Sequence, residues 1–170
     1  MSQAVKIRGY PSPQELENAP GYPSPERLEK GPVAVIECIE EIPCNPCEQA
    51  CPQHAITIGK PITNRPHLDE DKCIGCGLCV ARCPGLAIFL VDLTYGKGKA
   101  SVAFPYEYLP LPEKEQTVQA VNRAGEPVCP GTVIMVQNSK VNDQTPVVTI
   151  AVPREYASEI RGIARIRKER

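Results

Sequence analysis

The chain has 170 residues, with 19 basic and 20 acidic side chains and a net charge of −1, so its overall charge leaves no footprint for nucleic acid. Two phenylalanines and no tryptophan, against 19 prolines, argue against one large aromatic core. Nine cysteines are available to organise the fold instead, as metals or disulfides do in small domains short of core.

No apolar run approaches the ~18 residues of a membrane span. Met1–Arg8 enters a Pro-rich stretch without the apolar region of a secretion signal. A cytoplasmic location is expected, where thiols stay reduced and clustered cysteines read as metal ligands.

Residues 1–32 form a leader with an internal repeat. "GYPSPQELENAP" (Gly9–Pro20) is followed at once by "GYPSPERLEKGP" (Gly21–Pro32). Each unit predicts a turn and a very short helix, with Ser12 and Ser24 as N-caps and Pro13 and Pro25 at the first helical position. Such helices are too short to be stable alone. The leader is expected either to be disordered or to gain order by wrapping a partner, with Tyr10 and Tyr22 as anchors.

Residues 33–95 hold the cysteine region. "VAVIE" before Cys38, "AITI" after Pro52 and "AIFLVD" after Pro84 predict short strands, and "NRPHLD" a weaker one. The order strand, cysteine run, Cys-Pro, strand occurs twice, so a pseudo-symmetric module is expected. Tyr95–Lys99 reads as a linker. Residues 100–170 carry further strand signals ("ASVAFPY", "TVQAVN", "VIMVQN", "PVVTIAV") and a short helix at Pro153–Ile160. They predict a small β-rich domain, sandwich or barrel, with a terminal helix. The fold class is α+β. The tail "RGIARIRKER" reads as a solvated basic surface, with docking as the alternative.

In "CIGCGLCVARCP" the cysteine intervals are two, two and three, with proline after the last. Three closely spaced thiolates can cap three irons of a [4Fe–4S] cubane, while the fourth ligates the neighbouring cluster. Read backwards from Cys51, "CIEEIPCNPCEQACP" has the same form, with five residues instead of two after Cys38. A few extra loop residues cost little entropy. The expected ligand sets are Cys38, Cys44, Cys47 and Cys83 for one cluster, and Cys73, Cys76, Cys79 and Cys51 for the other. Two other readings stand beside this one: two four-cysteine zinc sites, and a single cluster with the stretched run degenerate. Pro43 and Pro46 cannot donate N–H to sulfur, and Glu40, Glu41 and Glu48 add negative charge. Both effects predict a lower potential at the Cys38 group. Cys129 reads as a buried thiol, and His54 and His67 as ordinary residues.

With these cysteines, and with Pro52…Ala55-Ile56 and Pro84…Ala87-Ile88 after the two runs, Val33–Leu93 resembles the bacterial-type ferredoxin family with two [4Fe–4S] clusters. Through "RLEKGPVAVIECIEEIPCNPCEQACP" and "TPVVTIAVPREYASEIRGI" the whole chain resembles the small 4Fe–4S subunit of flavin-dependent amino- and imino-acid dehydrogenases, of the sarcosine-oxidase-like or hydroxyproline type. That resemblance implies a non-catalytic subunit relaying single electrons from flavin to an acceptor. Its partners would be a flavin-bearing dehydrogenase subunit and further members of a hetero-oligomeric complex. A diffusible ferredoxin with appended domains and a metal-stabilised non-redox protein are the alternatives. No nucleophile with a base, phosphate loop or dinucleotide fingerprint stands out.

Overall fold

The computed structural model describes residues 3–142 and 144–167. Met1 and Ser2 of the leader, Asp143, and the last three residues of the basic tail lie outside the described residues.

The leader is ordered on its own chain. Three short helices, α1 (Gln3–Arg8), α2 (Pro13–Glu17) and α3 (Pro25–Leu28), are present, and the latter two begin at the residues that the repeat predicts for its two units. Ser12 and Glu15 close a reciprocal capping box on α2. Between α2 and α3 the chain passes very close to the strands beneath. The Pro20 carbonyl accepts from Leu68 N–H and the Gly21 carbonyl from Ile36 N–H. A Cβ on Gly21 would lie 2.8 Å from that of Ile36, so only glycine allows this approach. Residues 3–32 are thus ordered against their own strands rather than disordered. Leu16 and Ala19 are buried against Ile39, with Val5 and Tyr22 packed around them.

Beyond the leader come β1 (Val33–Ile36), α4 (Pro46–Ala50), β2 (Ile56–Thr57), β3 (His67–Leu68), α5 (Leu78–Arg82), β4 (Ile88–Gly96), β5 (Lys99–Pro105), β6 (Thr117–Val121), β7 (Pro127–Gln137), β8 (Val147–Pro153) and β9 (Gly162–Ile163). β2 and β3 form a small antiparallel pair. The other seven strands form one antiparallel sheet in the order β1-β4-β5-β8-β7-β6-β9. Mostly antiparallel sheet with a few short helices makes the class α+β.

The linker expected at Tyr95–Lys99 is instead a tight hairpin, with Gly96 paired to Lys99 and Gly98 at φ +68°. β4 therefore runs straight into β5, and the cysteine region shares its sheet with the β-rich region. Period-two alternation lets that shared sheet serve two cores. Val35, Phe89, Val91, Val102 and Phe104 face a core with β6–β8. Ala34, Ile36, Ile88 and Ala103 face the cysteines. The terminal helix expected at Pro153–Ile160 is a single 3-10 turn, Arg154–Tyr156, after which the chain returns as β9.

The sheet rolls until its edges meet through side chains rather than a ladder. Glu37 directly follows edge strand β1, and Arg161 directly precedes edge strand β9. Glu37 Oε1 accepts from Arg161 Nε at 2.6 Å and from Arg123 Nη2 at 2.5 Å, while Oε2 accepts from Arg123 Nε at 2.7 Å. The Glu37 and Arg161 side chains are only 5 % and 4 % exposed.

Candidate metal centres

The two cysteine runs adopt the same local form. Each enters a one-turn helix, α4 or α5, that ends at a Cys-Pro step. A residue before proline is pushed out of the helical region, and Cys51 (ψ 107°) and Cys83 (ψ 109°) both obey. The thiol at each step then sits under the returning chain, where Ala55 N–H donates to Cys51 Sγ at 3.2 Å and Ala87 N–H to Cys83 Sγ at 3.4 Å.

That step exchanges the fourth thiol between the runs. One cavity is lined by Cys38, Cys44, Cys47 and Cys83. A second is lined by Cys73, Cys76, Cys79 and Cys51. The two cavities are alike in size, so the stretched interval has not collapsed the first. Ile36, Ile58 and Ile88 close the one, and Ala34, Ala55, Ile56 and Leu90 the other.

The extra residues after Cys38 have a visible use. Ile39 turns away from the cavity into the small core with Leu16 and Ala19, so the insertion is the leader's anchor. In the regular run, Gly75 (φ +67°) and Gly77 (φ +76°) make the loop between Cys73 and Cys79. A Cβ on Gly75 would meet the Pro32 carbonyl at 2.5 Å.

Burial pushes the thiols up, Cys47 to about 11 and Cys79 to about 12. Cys38 and Cys44 rise for the same first reason, with Cys83 adding like charge when ionised. Cys79 is affected by Cys73, Cys76 and Cys51 in the same way. Two groups of mutually opposed thiols suit a cationic inorganic core, which inverts the local electrostatics and binds with release of protons.

Among the described residues no group of three or more His, Cys, Asp or Glu converges closely enough to hold one metal ion. A zinc site needs four sulfurs about 2.3 Å from one centre, whereas these thiols stand around a space. That donor set, four soft sulfurs around a space, fits a polynuclear iron–sulfur group.

The backbone N–H groups of Glu40 and Glu48 partly offset the effect of burial on Cys38 and Cys47, while Pro43 and Pro46 have no N–H to offer. The Glu48 carboxylate is itself engaged, accepting from Ile58 N–H at 2.9 Å.

Cys129 lies in β7 within the core of the rolled sheet, 6 % exposed and outside both cavities. His54 and His67 are exposed and line neither. Two clusters of functional interest escaped the sequence reading. One is Glu37 with Arg123 and Arg161, which holds the residue next to Cys38. The other is Arg27 with Ser24 and Glu70, beside Cys73. Arg27 carried a signal, because it occupies the repeat position that Glu15 fills in the first unit.

Comparison with known proteins supports the same chemistry. Residues 37–87 match the family model of the 4Fe-4S dicluster domain. A dicluster ferredoxin domain is supported over that stretch. Over 50 residues it is 44% identical to an uncharacterized ferredoxin of Methanocaldococcus jannaschii, covering 29% of this chain and 28% of that protein. It is 43% identical over 49 residues to one subunit of an ion-translocating oxidoreductase complex of Methanosarcina acetivorans, covering 29% and 17%. It is 42% identical over 45 residues to the polyferredoxin-like subunit of an aliphatic sulfonate oxidoreductase of Pyrococcus furiosus, covering 26% and 25%. The chain thus spans less than a third of the length of each. No solved structure matches it. Iron–sulfur electron transfer is the role these similarities support, and among the described residues no helix is long and apolar enough to cross a membrane.

Proposed function

We propose that the chain is the electron-transfer subunit of a multi-subunit flavin-dependent dehydrogenase. In this reading Cys38, Cys44, Cys47 and Cys83 hold one [4Fe–4S] cluster, and Cys73, Cys76, Cys79 and Cys51 hold the second. The observation that carries it is the sorting of eight thiols into two four-thiol cavities, each drawing its fourth thiol from the other run.

Bound clusters would supply one-electron storage at two points, where a flavin yields electrons in pairs. The protein's part is to hold and shield them. Cys83 and Cys51 tie the two sites to opposite helices, so neither site can move independently of the other. Apolar walls shield the buried Cys47, Cys79 and Cys83 and limit reorganisation there. Around exposed Cys76, Ile74 and Leu78 are 60 % and 41 % exposed, an apolar rim through which a partner can approach. Nine free cysteines suit a reducing, cytoplasmic setting. The flavin partner is what the whole-chain resemblance implies, and the oxidoreductase subunits among the similar proteins support a place in a multi-subunit complex.

Anaerobic purification of the native protein, with iron, sulfide, zinc and flavin assays on whatever co-purifies, tests the reading. About eight iron and eight sulfide, with flavin in a second polypeptide, is the expected result. Zinc without sulfide overturns it. A diffusible ferredoxin is the second reading. It is favoured by the seating of the leader on its own chain, which leaves less of the leader to wrap a partner. Full occupancy of both clusters with no flavoprotein partner is its signature.

A further inference from the structure

The two units of the leader repeat differ at one telling position. In the first, "PSPQEL", Glu15 closes the capping box on Ser12 within the unit. In the second, "PSPERL", the same position is Arg27, which cannot accept the N-cap N–H. Glu70, from the segment between β3 and Cys73, takes over. Its carboxylate accepts from Ser24 N–H at 2.6 Å and from Ser24 Oγ at 2.7 Å.

Arg27 is thereby free to reach outward, and its guanidinium donates to four backbone carbonyls. Nε binds the Glu70 carbonyl at 2.9 Å and Nη1 the Gly31 carbonyl at 3.1 Å. Nη2 bridges the carbonyls of Pro32 (3.1 Å) and Cys73 (2.7 Å). The Pro32 carbonyl is also the group that abuts Gly75. One planar fork thus ties the leader, the entry to β1 and the first cysteine of the regular run. A guanidinium donates to several carbonyls at fixed angles, which an ammonium cannot reproduce.

We propose that Arg27 is a positioning residue for the Cys73/Cys76/Cys79/Cys51 cluster, fixing the Cys73 backbone and placing a positive charge beside that site. The proposal rests on the two-cluster reading above. A cation next to the cluster favours the reduced state, because reduction adds negative charge. Glu70 beside it balances the charge, so removing Arg27 leaves an uncompensated carboxylate and removing Glu70 leaves an uncompensated cation. The second unit of the repeat then serves electron transfer, while the first only packs the leader.

The test is a redox titration of the full-length protein, followed by electron paramagnetic resonance, on wild type, Arg27→Gln, Arg27→Lys and Glu70→Gln, with iron and sulfide measured on each. In Arg27→Gln the reduced-to-oxidised ratio of the Cys73-side cluster, read at the wild-type midpoint, should fall at least about threefold. The Cys38-side cluster serves as the internal control and should not move. Arg27→Lys should restore the ratio while hydrogen exchange at the Cys73–Gly77 amides stays fast. Glu70→Gln should raise the ratio. Loss of about four iron from Arg27→Gln alone also supports the proposal. Equal shifts in both clusters, or no shift in any variant, overturn it. Should Arg27→Gln fail to fold, the sign of the Glu70→Gln shift decides. Wild-type protein without iron and sulfide defeats the two-cluster reading instead.

Discussion

Glu37 shows how much one side chain can carry. It is buried, faces two arginines and sits next to Cys38. Burial pushes Arg161 down, with Glu37 pulling the other way. Removing one partner of such a pair strands the other charge, at a cost of about 3–5 kcal/mol. Glu37→Ala is expected to destabilise the protein by that amount in urea unfolding and to loosen iron at the Cys38 group first, as assayed by iron release to a chelator. Iron content should respond to the cysteines unequally. Cys38→Ser is expected to cost one cluster, whereas Cys129→Ser, inside the apolar core, should leave iron and sulfide unchanged. The thiols also set a pH dependence in the metal-free protein. Cys47 and Cys79 titrate near 11 and 12 when folded, above the ordinary 9.0. A folded pKa that is raised gives stability present below about pH 9 and lost as pH rises toward those values, because the unfolded chain gives up its protons first. Urea midpoints of the apoprotein should fall between about pH 8 and about pH 10.5, and iron loading, which abolishes the thiol protons, should remove that dependence.

Among the elements, the leader and the stretched Cys38–Cys44 interval explain each other. Ile39 in the interval and Leu16 and Ala19 in the leader bury one another in a small core of their own. Truncating a buried isoleucine to alanine costs about 2–5 kcal/mol. Ile39→Ala is therefore expected to make the leader protease-sensitive while the Cys73 group keeps its iron. Cleavage within residues 9–20, followed by mass spectrometry, reads the effect. The leader also bridges β1 and β3 through the Pro20 and Gly21 carbonyls, so its deletion should reach the metal sites and not only partner binding.

Across the whole molecule, one sheet couples the two regions. β1, β4 and β5 present one face to the cysteines and the other to the core shared with β6–β8. The β-rich region is thus a buttress for the cluster sites. The Cys38-side cluster is expected to have the lower potential, because Pro43 and Pro46 remove donors from its loop and Glu40 and Glu41 add negative charge, while Arg27 stands beside its neighbour. Assignment of the two signals with Cys38→Ser protein checks the order, and a lower potential on the Cys73 side would refute it.

What the sequence alone determined is local. The cysteine intervals, the Cys-Pro steps, the caps at Ser12 and Ser24 and the strand alternation act over a few residues, and each is legible because its physics is short-ranged. The α+β class and the dicluster chemistry followed from those. Tertiary structure decided the rest. Tyr95–Lys99 reads as a linker from its sequence and becomes a hairpin only because β4 and β5 pair, and the leader's order depends on Ile39. Arg27 is an ordinary surface arginine until Glu70 and Cys73 arrive beside it, 43 and 46 residues along the chain. Glu37 meets Arg161 across 124 residues. Hydrogen bonds and ion pairs are decided within about 3 Å, and no spacing pattern in a chain encodes which distant groups the packing of a sheet will bring that close.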